Sequence, residues 1–247
     1  MKEHDSRDFS RREFLQATGT ALALGPLLFA KGAAAAGDSR IRIGVIGSGN
    51  VGAALGKVWA NAGHPVMFAS RNLEHDKQLA AGIGANARAG TPAQAAAFGE
   101  VLLFAVPYGA LPDLGKSLGG ALKGKVVIDA CNPFPQRDGA IANRAREQGP
   151  GRVSAELLPG ARIVRAFNAV HAARMGEVHT EPGKVGMPIA GDDEAAIAVA
   201  SRLIREIGFE PVLVGGLDKG KDLVPGTPLA GEHTPEEIRK IAAGLKT

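Results

Sequence analysis

Apolar residues fall into short unbroken runs separated by longer stretches with helical spacing. Ile41-Arg42-Ile43-Gly44-Val45-Ile46 reads as a buried strand, and the glycine-rich segment Gly47–Gly52 as a turn. Val51, Leu55, Val58, Trp59 and Ala62 then recur three or four apart, the spacing of one helix face, and Gly63 stops that helix. Val66-Met67-Phe68-Ala69 is a second strand, followed by a helix over about 73–81. Thr91 before Pro92 has the form of an N-cap with proline at the first helical position, opening a helix through Phe98.

The run Val101-Leu102-Leu103-Phe104-Ala105-Val106 shows no polar alternation, as expected of a strand covered on both faces. Val126–Asp129, Arg162–Ala166 and Pro211–Val214 read as further strands. Helices are predicted over 193–207 and 235–245. Alternating strands and helices predict an α/β fold: a Rossmann-type doubly wound, mostly parallel sheet in one domain with a small C-terminal extension.

Composition excludes several classes. The 247 residues suit one α/β domain, and 45% hydrophobic with 22% charged residues is a globular balance. The single cysteine, Cys131, leaves no disulfide framework and no cysteine-based zinc cluster, and it reads as an inert small core residue. Aromatic residues at 4% are too few for a platform stacking single-stranded nucleic acid. The net charge of +4 is mild and not gathered into one run, which fits anionic small ligands and no nucleic acid. His64, His75, His179 and His233 lack metal-ligand spacing and are expected at the surface, so no metal site is predicted.

Residues 1–36 read as an address rather than as part of the fold. Ser10-Arg11-Arg12-Glu13-Phe14-Leu15 precedes a weakly apolar stretch and a small-residue end. This resembles the twin-arginine (Tat) export signal of bacteria, with cleavage after Ala35 or Ala36; an uncleaved anchor helix is the other reading. The resemblance implies the Tat export machinery as a partner and a periplasmic or secreted location. Residues 37–247 would form the mature domain.

Gly47-Ser48-Gly49-Asn50-Val51-Gly52 is G-x-G-x-x-G, placed after a strand and opening a helix. In that context Gly47 permits the tight turn, Gly49 lets backbone approach a pyrophosphate, and Gly52 lets helix and sheet pack closely. The free N–H groups at the helix start meet the phosphate charge. An NAD site would carry Asp or Glu about 20 residues further on, at the end of the second strand. This chain has Ser70-Arg71-Asn72. A guanidinium pairs with a 2′-phosphate, and Ser70 and Asn72 can add hydrogen bonds, so NADP is the expected dinucleotide. Ligands of open α/β sheets bind beyond the carboxyl ends of strands. Ala105-Val106-Pro107 and Asn132-Pro133 are therefore expected against the ribose and nicotinamide. Tyr108 would either stack on a ring or pack at the rim.

The segment Ile43–Gly52 followed by Ser70-Arg71-Asn72 resembles the NADP reductases that use the deazaflavin coenzyme F-420. Val106-Pro107-Tyr108, Val164-Arg165-Ala166-Phe167-Asn168-Ala169-Val170 and Leu223–Leu229 are similar to later segments of that family, so the resemblance spans about 40–230. It implies hydride transfer between NADP(H) and a deazaflavin or flavin-like acceptor, with coenzyme F-420 as co-substrate and a homodimer as the assembly. Asn168, in the family's F-N motif, is the candidate polar group at the reaction site, a capping role in its loop being the other reading. His171 departs from the family's pattern, which is apolar or aromatic there. Two other functions stay open: an NADP-dependent reductase of a small imine or carbonyl, and a non-catalytic NADP-binding exported protein.

Overall fold

The computed structural model describes residues 40–245. The expected export signal lies outside the described residues. The chain begins β1 (Ile43–Ile46), α1 (Asn50–Asn61), β2 (Val66–Ala69), α2 (Leu73–Ile83), β3 (Ala87–Ala89), α3 (Pro92–Phe98) and β4 (Val101–Phe104). It continues with α4 (Leu111–Leu118), β5 (Val126–Asp129), α5 (Pro135–Asp138), α6 (Ala140–Gln148), α7 (Pro150–Leu157) and β6 (Arg162–Arg165). The last part holds α8 (Ala172–Met175), β7 (Gly186–Gly191), α9 (Glu194–Glu206), β8 (Glu210–Gly215) and α10 (Pro235–Gly244).

The strands form an eight-stranded sheet ordered β3-β2-β1-β4-β5-β6-β7-β8. The first six are parallel, with the strand order reversing direction between β1 and β4. That crevice is where open α/β sheets bind ligands. β7 runs antiparallel to β6, and β8 is parallel to β7.

Side chains alternate between two covered faces, which explains the unbroken apolar runs. Val45, Leu103, Ile128 and Val164 face a core with Leu55, Trp59 and Leu203. Ile46, Leu102, Val127 and Ile163 face the opposite core with Ala95, Leu111 and Val153. Trp59 Nε1 donates to the Leu203 carbonyl at 2.9 Å and joins α1 to α9. A third cluster under α10 gathers Ala190, Val212, Val214, Leu223, Leu229 and Ile238.

Two strands escape the hydrophobic pattern. β3 is three residues long and mostly alanine, with weak strand preference of its own. β7 contains Pro188 between two terminal glycines, a composition that reads as loop. β6 pairs only with its Ala190 and Gly191, so Pro188 stands beside no β6 partner. His64 also corrects the expectation of a surface role. It is buried, its Nδ1 accepting from Ile41 N at 2.9 Å and its Nε2 lying 2.6 Å from Glu206 Oε2.

Candidate functional site

A cleft of about 1040 Å³ opens beyond the carboxyl ends of β1, β2 and β4. Its walls include Gly47, Ser48 and Gly49 after β1, Ser70 and Arg71 after β2, and Ala105, Val106 and Pro107 after β4. These eight of the expected binding residues are brought together, whereas Asn50, Val51, Gly52, Asn72, Asn132, Pro133 and Asn168 stand outside the cleft wall.

The three glycines have separate physical reasons. Gly47 sits at φ +103°, and a Cβ there would lie 2.3 Å from the Ala105 carbonyl oxygen, so a side chain is barred twice. A Cβ on Gly52 would collide with the Gly47 carbonyl at 1.8 Å; the missing side chain lets α1 start directly beneath the turn. Gly49 differs: a Cβ there would meet nothing within 4 Å. It is the N-cap of α1, without a side-chain cap. The first-turn N–H groups, on Asn50, Val51 and Gly52, have no partners within the helix, and the positive end of its dipole adds to them. This bare backbone fits a pyrophosphate. Val51 also packs its side chain against the core of α1 and β1.

At the rim, Arg71 is exposed and has no ion-pair partner among the described residues. Its neighbours are engaged differently from the sequence expectation. The Asn72 side chain caps α2, its Oδ1 accepting from His75 N at 3.1 Å. Ser70 Oγ lies 2.9 and 3.0 Å from the two carboxylate oxygens of Asp76, and Ser70 N donates to Oδ2 at 2.7 Å. Ser48 Oγ donates to Asp76 Oδ1. Asp76 is fully buried and ties the glycine turn to the loop after β2. Sequence reasoning missed it, because an acid in the first turn of a helix is ordinary there. On the opposite wall Arg137 is held by Asp138 at 2.8 Å and donates to the Asn132 carbonyl at 2.8 Å.

The ends of β5 and β6 form a second polar group. Asn132 Nδ2 donates to the Asn168 carbonyl at 2.8 Å. Asn132 Oδ1 and both polar side-chain atoms of Asn168 are buried without partners among the described residues. Asn168 therefore caps no loop with its side chain. Phe167, just before it, holds φ 65°, a left-handed conformation that side chains other than glycine seldom adopt. Its ring fits edge-on against Trp59 and Phe209, at centroid distances of 6.2 and 5.9 Å. Packing thus holds the strained turn that positions Asn168. Such orphaned atoms beside a strained residue fit a polar ligand group better than a finished core.

Two other candidates take structural roles. Tyr108 is neither a ring platform nor a rim residue. It is fully buried, its hydroxyl donating to the Pro150 carbonyl at 2.8 Å, and burial pushes its phenol well above the usual range. Cys131 is buried against the Phe104 carbonyl at 3.4 Å, and burial raises its thiol well above its usual range, as suits an inert core residue.

Comparison with known proteins agrees with this architecture. Residues 42–133 match the family described as NADP oxidoreductase coenzyme F420-dependent. The F420-dependent NADP reductase of Methanothermobacter thermautotrophicus is 30% identical over 203 residues, covering 76% of this chain and 87% of the relative. A rat metalloreductase is 26% identical over 185 residues, which cover 74% of this chain and 35% of that protein. Among solved structures, a hypothetical protein of Sinorhizobium meliloti superposes with TM-score 0.67 at 27% identity, covering 77% of this chain and 93% of its own. The glycine turn, Arg71 and the loop after β4 all lie within the matched segment, and the chain belongs to the family of coenzyme F420-dependent NADP oxidoreductases.

Proposed function

We propose that this protein transfers a hydride between NADP(H) and the deazaflavin coenzyme F420, the pairing that its Methanothermobacter relative's name states. The carrying observation is the cleft: an uncapped helix start at Gly49 and the unpaired guanidinium of Arg71 share its walls. In this reading the N–H groups of the first turn of α1 hold the pyrophosphate. Arg71 pairs with the 2′-phosphate, for which a planar fork is suited. Ala105, Val106 and Pro107 give an apolar shelf beside the ribose.

Once bound, the nicotinamide and deazaflavin rings carry the redox chemistry themselves. The chain contributes position and electrostatics. Asn168 offers a carboxamide with a donor and an acceptor unspent, and Asn132 holds its backbone from the β5 side. Reduction of a small imine or carbonyl, and cofactor binding without catalysis, are not favoured by the family.

The same proposal includes export by the twin-arginine machinery to the periplasm or outside, and pairing as a homodimer. The arginine pair at Arg11-Arg12 supports the former, and the resemblance to the reductase family the latter. Cell fractionation of the full chain and light scattering of the mature protein test these two points.

The function itself is tested by mixing the purified protein with NADPH and oxidised deazaflavin and following both absorbances. Loss of NADPH matched by bleaching of the deazaflavin is the expected result. NADP+ binding in calorimetry with no transfer in either direction would leave a binding protein and overturn the enzyme reading.

A further inference from the structure

Asp76 has no place in the cofactor reading above, yet it underlies both sides of the nucleotide cleft. It comes from the first turn of α2 and is fully buried. Three donors converge on it: Ser70 N, Ser70 Oγ and Ser48 Oγ. A serine hydroxyl has one proton to give. Ser70 Oγ also accepts from Asn72 N at 3.1 Å. With both hydroxyl protons directed at Asp76, what Ser48 Oγ and Ser70 Oγ have left to offer the cleft they line is accepting capacity, one lone pair in the case of Ser70. The Asn72 carbonyl, 3.3 Å from Ser70 Oγ, is a more distant competitor than either carboxylate oxygen. His75, half exposed, has its Nδ1 3.5 Å from the same carboxylate and 3.4 Å from Ser48 Oγ.

An acceptor suits a ribose hydroxyl, which can donate to it. It does not suit a 2′-phosphate, whose oxygens also accept. A fixed negative charge beneath Ser70 opposes that phosphate as well. Arg71 at the rim acts in the other direction. The two side chains therefore set opposing preferences at one ribose.

We propose that Asp76 is a specificity-determining positioning residue. It fixes the direction of the Ser48 and Ser70 hydroxyls and so lets the cleft take the unphosphorylated dinucleotide beside the phosphorylated one. This rests on the reading of the cleft as a dinucleotide site, and it goes beyond that reading by assigning the discrimination at the 2′ position to a buried acid.

The test is calorimetric titration of the full-length protein, wild type and variants, with NADP+ and with NAD+. Asp76→Asn removes the charge at constant shape and restores a donor opposite the serines. The expected result is a shift of the NAD+/NADP+ dissociation-constant ratio toward NADP+ of at least threefold. A merely structural role would weaken both nucleotides alike, and an unchanged ratio in folded Asp76→Asn overturns the proposal. Should that variant fail to fold, Ser70→Ala decides. It keeps the charge and removes the acceptor, so NAD+ is expected to weaken at least threefold more than NADP+, and equal weakening is the contrary outcome. A wild-type protein that binds neither nucleotide removes the dinucleotide reading and this proposal together. Binding of NADP+ with unaltered ratios removes this proposal alone.

Discussion

Asp129 and Arg165 are register partners on the adjacent parallel strands β5 and β6, and both side chains are fully buried, with Arg165 Nη1 2.7 Å from Asp129 Oδ2. The other carboxylate oxygen accepts from Cys131 N at 2.8 Å, while Arg165 Nη1 also reaches the Cys131 carbonyl at 3.2 Å. The pair thus fastens the loop after β5, which bears Asn132, to the strand that leads to Asn168. Arg165 Nε and Nη2 have no partner among the described residues, so the pair is costly to build and costlier to break.

Asp129→Ala is expected to destabilise the protein by about 3–5 kcal/mol, because it leaves a buried guanidinium uncompensated. Replacing both residues, as Asp129→Leu with Arg165→Met, should recover most of that loss. Urea unfolding of the single and double variants measures the difference; a double variant as unstable as the single one would contradict the account.

The glycines of the turn should separate binding from folding. Gly49→Ala meets open space and loses only the preference of an N-cap for glycine over alanine, so its unfolding free energy should fall by no more than about 1 kcal/mol. In the proposed binding mode the added methyl stands in the path of the pyrophosphate, and NADP+ affinity should fall tenfold or more. Gly52→Ala must displace the Gly47 carbonyl and should lose both stability and binding. Thermal melts beside nucleotide titrations distinguish the two.

Much of this was legible in the sequence for identifiable reasons. β1, β4 and β5 lie between helices, so their unbroken apolar runs identify them, and the glycine turn declares its geometry because only glycine fits φ +103° at Gly47. α3 was readable from its cap: Thr91 and Gln94 form a reciprocal pair with the backbone. What stayed hidden depends on distant partners. Asp76 gains its meaning from Ser48, 28 residues earlier, and His64 is buried by Glu206, 142 residues later. β7 is a strand because β8 pairs along it, against the preference of Pro188 and its glycines. The strain at Phe167 has no local signature at all.

Arg71→Glu puts a carboxylate where the proposed function places the 2′-phosphate. NADP+ affinity should fall more than tenfold while NAD+ is spared, since a change of about 1.4 kcal/mol is already tenfold. Equal loss of both in calorimetry would mean that Arg71 does not read the phosphate.

Asn168→Ala removes two buried polar atoms that have no partner among the described residues. Leaving such groups unsatisfied costs about 1–3 kcal/mol, which offsets the small cavity the substitution creates. The ligand-free variant should therefore be about as stable as wild type in denaturant, while stopped-flow hydride transfer slows at least tenfold. A variant that is destabilised by several kcal/mol with unchanged transfer would make Asn168 a packing residue.

Acid should act partly through Asp193. Hydrogen bonds from the Arg162 guanidinium, at 2.5 and 2.7 Å, and from Ala196 N at 2.8 Å hold its carboxyl well below the usual carboxylate range. A carboxyl depressed on folding stabilises above its unfolded pKa of about 3.9, and that contribution is lost as pH falls through the folded value. Melting temperature should fall as pH drops below about 4. In Asp193→Asn, which keeps a cap for α9, the fall should be shallower; identical acid slopes would rule out this carboxyl as a contributor.

The sheet is joined unevenly. β6 and β7 share two register pairs, Val164↔Gly191 and Arg165↔Ala190, whereas β7 and β8 pair along their length, with Ala190, Val212 and Val214 on the cluster under α10. The backbone join between β6 and β7 is a narrow seam, closed by the core that Val164, Met187 and Ile189 share. The residues from Phe167 to Val170 leave β6 just past that seam, so the turn carrying Asn168 stands at the narrowest backbone join in the sheet and is braced there by side chains, Phe167 against Trp59 and Phe209, rather than by the ladder.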